Sequence, residues 1–120
     1  MKIAITSTGN NITAQFNPRF GRCEYFILIE TDTKDWEALP NPALSASGGA
    51  GPQAVQFVVE QGAQAVISGR YGGNAYNAIA AAGIQAFSAN GGTVGEVLEK
   101  YLAGVLEQVT GATGPELHGK

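Results

Sequence analysis

The chain has 120 residues, a net charge of −3 at neutral pH, 17 glycines and one cysteine. This length suits a single domain that can bury about two-thirds of its unfolded surface without staples, and one cysteine excludes an internal disulfide. The acidic balance argues against nucleic acid and anionic membranes as partners. The start MKIAITS lacks both the roughly 7–15 apolar residues of a secretion signal and the ~20 of a membrane span, so a cytoplasmic protein is expected.

Residues 2–6 (KIAIT) form a short β-branched run and read as the first strand. A long polar loop follows over 7–21, interrupted by a short strand expected near 12–14; loops of this length in compact domains are often functional. Residues 25–31 (YFILIET) and 36–39 (WEAL), joined by a turn at 32–34, read as a hairpin. Trp36, Tyr25 and Phe26 read as core or hairpin packing. After an irregular stretch at 40–49, Pro52 suits the first turn of a helix that carries Val55, Val58 and Val59 at helical spacing and stops at Gly62. Residues 65–68 (AVIS) are a buried strand. Asn74 then suits the N-cap of a helix facing inward through Ala75, Ile79 and Ala82. Residues 84–87 (IQAF) are the last strand expected. Thr93 with Glu96 spells a capping box for a helix whose stripe is Val94, Val97, Leu98, Tyr101 and Leu102. The domain is expected to span 1–104, with 105–120 as a flexible tail.

This order predicts an α/β domain with a five-stranded mixed sheet in the order 3-2-1-4-5, strand 2 antiparallel, flanked by helices. In open sheets of this kind ligands sit beyond the carboxyl ends of the parallel strands. The loops at 7–21, 69–73 and 88–92 leave those ends, and the last two feed helix N-termini, which favour anions. The three arginines of the chain, Arg19, Arg22 and Arg70, all lie beside these glycine loops. A small-anion site built from guanidinium and backbone N–H groups is therefore expected.

Other chemistries fit poorly. No G-x-x-x-x-G-K-[ST] segment exists, so a P-loop is excluded. Gly49-Ala50-Gly51-Pro52-Gln53-Ala54 matches G-x-G-x-x-A but follows no strand directly and has no acid about 20 residues on. The first 23 residues contain no carboxylate, against the clustered acids of a metal-dependent nuclease. No histidine precedes Ser7, Ser68 or Ser88 to activate them. Cys23 and His118 cannot by themselves supply a four-ligand zinc or iron–sulfur site. Cys23 reads as a half-buried residue at a strand edge, whose thiolate Arg22 would favour for a single metal contact.

The segments RFGRCEYFILIE, SGGAGPQAV, AVISGRYGGNAYNAIAAAGIQAF and GGTVGEVLEKYLAG, in this order, closely resemble the dinitrogenase iron-molybdenum cofactor biosynthesis family. The likeness covers about residues 1–104. It implies a ribonuclease H-like fold without nuclease carboxylates. It also implies a non-catalytic role in binding or carrying iron–sulfur or iron–molybdenum clusters during cofactor assembly, with donor or acceptor proteins as partners. Where some members have a histidine before the FG pair, this chain has Arg19. The positions implied for the site are Arg19, Phe20, Gly21, Arg22, Gly51, Arg70, Gly72, Gly73, Gly91 and Gly92, with Cys23 as the one candidate metal ligand. A cluster would be loosely held, by a monomer or weak dimer. The alternatives are a module for a small or phosphorylated anion, and an interaction module without metal.

Overall fold

The computed structural model describes residues 1–111. The elements run β1 (Lys2–Ser7), β2 (Tyr25–Glu30), β3 (Trp36–Pro40), α1 (Ala50–Glu60), β4 (Ala65–Ser68), α2 (Gly73–Ala82), β5 (Gln85–Ser88), α3 (Val94–Leu102) and β6 (Glu107–Gln108). They build one mixed sheet in the order β3-β2-β1-β4-β5-β6. β1 pairs antiparallel with β2 and parallel with β4, and β4 pairs parallel with β5. β2 pairs antiparallel with β3, which therefore runs parallel to β1.

The expected order holds for the first five strands, but the sheet has a sixth. β6 returns antiparallel onto β5, pairing Phe87 with Gln108 and Ser88 with Glu107, and the Val109 N–H donates to the Ala86 carbonyl. The strand falls inside the stretch expected to be a tail; residues 112–120, with His118, lie outside the described residues. The short strand expected near 12–14 is instead a turn, and isolated bridges link Phe16 to Ser7 and Gln15 to Thr93.

Side chains alternate across the strands with the period of two that the pleat imposes. Ala4, Phe26, Leu28, Val66 and Ala86 face one layer, which holds Ala54, Val55 and Val58 of α1 and Ala75 and Ile79 of α2. Ile3, Ile5, Ile27, Ile29 and Ile67 face the other, where α3 buries Val94, Val97 and Leu98. Each valine, leucine or isoleucine among them contributes about 1.5–3 kcal/mol when fully buried. Trp36 is not in either layer: it is 40% exposed on the edge strand β3. Among the described residues no helix is long and apolar enough to cross a membrane.

The parallel strands and β3 all end at one edge of the sheet. The loops at 8–24, 41–49, 69–72 and 89–93 therefore meet there. Hydroxyls at the strand ends hold these loops in place. Thr6 Oγ1 donates to the Asn17 carbonyl and lies 3.1 Å from Ser68 Oγ. Ser88 Oγ donates to the Gly69 carbonyl.

A candidate anion cleft between two helix N-termini

Helices α1 and α2 start side by side at the loop-bearing edge, and a cleft of about 450 Å³ opens between their first turns. One wall is Gly49, Ala50, Gly51 and Pro52; the other is Gly72, Gly73, Asn74 and Ala75. Gly21 and Arg22 complete it. None of these residues is acidic. The close approach depends on glycine: a Cβ on Gly51 would stand 2.7 Å from the Ala75 Cβ, and one on Gly21 would stand 3.1 Å from the Gly51 nitrogen.

Neither helix start carries a side-chain cap or an acid in its first turn. The N-cap positions are Gly49, in the left-handed region at φ 72°, and Gly72. The expected cap Asn74 instead lies inside the first turn of α2 and lines the cleft. α3 differs. Thr93 Oγ1 accepts from the Glu96 N–H and the Glu96 carboxylate accepts from the Thr93 N–H, completing the expected capping box. The positive ends of the α1 and α2 dipoles thus meet at the cleft with no acidic side chain in either first turn.

Arg22 is half-buried, and its Nη1 donates to the carbonyls of Leu44 and Ala46 at 3.2 and 2.9 Å. This ties the 41–49 loop to the cleft wall. Two buried asparagines outside the expected site positions fix the same region. Asn41 donates through Nδ2 to the carbonyls of Gly21 and Cys23, and its Oδ1 accepts from the Ala43 N–H. Asn17 Oδ1 accepts likewise from the Arg19 N–H. The shared signal is the Asn-Pro dipeptide at 17–18 and 41–42, each opening an Asx turn.

The remaining candidates are placed elsewhere. Phe20 is buried beneath the cleft, 5.4 Å from the ring of Tyr71 and 5.7 Å from that of Phe26. Tyr71 belongs to the core; its hydroxyl donates to the Phe87 carbonyl, and burial raises its pKa. Arg19 and Arg70 face each other in a parallel bridge, both exposed and neither lining the cleft. Gly91 and Gly92 line a separate hollow of about 620 Å³ with Glu96 and Glu99 at the start of α3. That hollow carries two carboxylates against one lysine, Lys100, and its helix is already capped, so it does not extend the anion site.

Cys23 is not at a half-buried edge. It is 0% exposed, its thiol donates to the Phe20 carbonyl, and burial pushes its pKa up to about 12. Arg22 does not favour its thiolate, because the guanidinium is turned to the 41–49 loop. Among the described residues no three His, Cys, Asp or Glu side chains group to hold a metal ion.

A family described as dinitrogenase iron-molybdenum cofactor matches residues 1–104. An uncharacterized protein of Methanocaldococcus jannaschii is 31% identical over 111 residues, 90% of this chain and 91% of that one. Among solved structures, the apo form of the orange protein from Desulfovibrio gigas superposes with a TM-score of 0.91 at 30% identity, covering 94% of this chain and 96% of that one. A Thermotoga structure described as a NifB protein superposes at 0.84 with 33% identity, covering 95% and 97%.

Proposed function

Since the chain belongs to the dinitrogenase iron-molybdenum cofactor family, we propose that it is a non-catalytic carrier whose cargo is an anionic metal–sulfur cluster seated between α1 and α2. The family and the structural relatives connect the chain to cofactor binding or biosynthesis. One relative is described in an apo form, a state defined against a bound one. The observation that carries the reading is the convergence of Arg22 and two helix N-termini without side-chain caps on a cleft that, among the described residues, has no acidic lining. Such a surface favours negative charge through fixed dipoles and charge-assisted hydrogen bonds.

The donor set also says how the cargo is held. Among the described residues the cleft lining contains no thiol, imidazole or carboxylate. It suits a cluster that arrives with its own ligands complete and is bound through its outer sulfur or oxygen atoms. Release then breaks hydrogen bonds and ionic contacts rather than metal–ligand bonds, which suits a carrier that passes its cargo to another protein. The ribonuclease H-like designation belongs to the same proposal, with an anion cleft in place of nuclease carboxylates. A second reading, a module for a small phosphorylated anion, draws on the same lining.

Anaerobic incubation with isolated iron–molybdenum cofactor, followed by gel filtration and counting of co-eluting iron, molybdenum and sulfide, tests the carrier. Stoichiometric metal is expected on the native protein. Arg22→Gln removes a charged donor, worth about 1.5–3 kcal/mol, and should weaken binding about tenfold or more. Cys23→Ser should leave it unchanged. No metal above that on an unrelated protein contradicts the carrier, and displacement by phosphate favours the second reading.

A further inference from the structure

We infer that Arg19 and Arg70 form a docking patch for an acidic protein surface, beside the cleft and separate from it. The two residues are directly opposed in a parallel bridge. Their backbones are fixed: the Arg70 N–H donates to the Pro18 carbonyl at 2.7 Å and the Phe20 N–H to the Arg70 carbonyl at 3.4 Å. Gly69 packs so tightly on Pro18 that a Cβ there would lie 2.5 Å from the Pro18 Cβ. Their chain neighbours Phe20 and Tyr71 turn inward and meet with ring centroids 5.4 Å apart, while both arginines are exposed.

Like charges opposed across a bridge are destabilising. Nothing within the described residues relieves this pair. The ion pairs found there join the amino terminus to Glu30 and Asp32 and Lys34 to Glu99, and none involves an arginine. The fold therefore sets two exposed arginines opposite one another on a rigid backbone support, and neither is in an ion pair among the described residues. The molecule as a whole carries −3. A local positive patch on an acidic molecule orients an approaching acidic surface and disfavours other approaches. Arginine pairs with carboxylates in a planar, two-bonded geometry. Nucleic acid would meet a mostly acidic surface beyond these two residues, so a carboxylate-bearing protein face is the occupant that fits.

The patch leads into the cleft, because Arg19, Phe20, Gly21 and Arg22 are consecutive. A partner held at Arg19 and Arg70 would lie over the cleft mouth. Resting on the carrier reading for this last step, the partner is the protein that gives or takes the cargo.

The probe is fluorescein-labelled hexaglutamate, followed by anisotropy at low ionic strength, about 20 mM, where screening is weak. An acidic protein binds an acidic peptide through a local positive patch or through an anion-favouring cleft, and the Arg22→Gln variant and phosphate competition separate the two. Expected is binding that weakens with salt, falls about fivefold or more in Arg19→Ser/Arg70→Ser, and persists in Lys34→Ser/Lys100→Ser and in Arg22→Gln. The Arg19/Arg70 variant should still take up isolated cofactor within about twofold, which separates failure here from failure of the carrier reading. Absence of peptide binding by the native protein, equal binding by the Arg19/Arg70 variant, loss only in Arg22→Gln, or displacement by inorganic phosphate at equal charge would each overturn the inference.

Discussion

Burial pushes the Cys23 thiol up to about 12, and it raises the Tyr71 phenol in the same direction. Both groups are acids that the folded chain keeps neutral. The unfolded chain releases the thiol proton near its ordinary value, roughly 8.5. Below that pH both states hold the proton and the stability is intact. As pH rises through the window up to the folded value, the unfolded state binds fewer protons and stability falls, by up to about 1.4 kcal/mol per pH unit for each group. Urea unfolding at pH 7, 9 and 10.5 should show this decline, and Cys23→Ser should flatten its onset. An aromatic disulfide reagent should modify Cys23 at pH 8 only after urea is added. Rapid modification of the native protein would mean that the thiol is exposed. Reading FGRC as a thiol beside a guanidinium takes neighbours in sequence for neighbours in space. The intervening geometry sends Sγ toward the Phe20 carbonyl and Arg22 toward Leu44 and Ala46.

Among the elements, the three helices divide by how they begin. α3 satisfies its own first turn with Thr93 and Glu96, and that motif is local enough to be read from four residues. α1 and α2 begin at glycines with no side-chain acceptor. Asn74 was the natural cap by residue type, but the chain turns helical one residue earlier, at Gly73. Cap preference is a local tendency, and packing of α2 against α1 decides the outcome. Asn74→Asp should therefore act in opposite senses on stability and binding. A carboxylate in the first turn complements the helix dipole and should add roughly 0.3–1 kcal/mol to stability. The same charge lines the cleft and should weaken uptake of isolated cofactor several-fold. Thermal melts and metal counting on one preparation check both signs. Tighter uptake, or loss of both stability and uptake, would contradict the assignment of the cleft.

Across the whole molecule, most of the sheet was legible because its strands are short apolar runs separated by glycine, proline or asparagine. β6 was not. It is two residues long, both exposed, and its pairing partner β5 lies some 20 residues back, with no periodicity after Gly104 to signal it. The site was legible in part for the same physical reason. Arginines beside glycine loops mark an anion-favouring edge, and the strand order puts those loops together. Which of them share a cleft depends on the packing of α1 on α2, where Gly51 meets Ala75 and Gly21 meets Gly51. Those contacts join segments about 24 to 30 residues apart in the chain. The division that results is one cleft with Arg22, one exposed pair at Arg19 and Arg70, and one capped helix start at Gly91 and Gly92.

The most direct test is amide chemical-shift mapping of the ¹⁵N-labelled protein during anaerobic titration with tetrathiomolybdate, a diamagnetic anion with a complete sulfur shell. If the cleft holds the cargo through helix N–H groups, the amides of Ala50, Gly51, Gly73, Asn74 and Ala75 shift together and saturably, while those of Gly91, Gly92 and Cys23 stay in place. Shifts centred on Cys23 or on the start of α3, or no saturable shift at any amide, would contradict a cluster carried between α1 and α2.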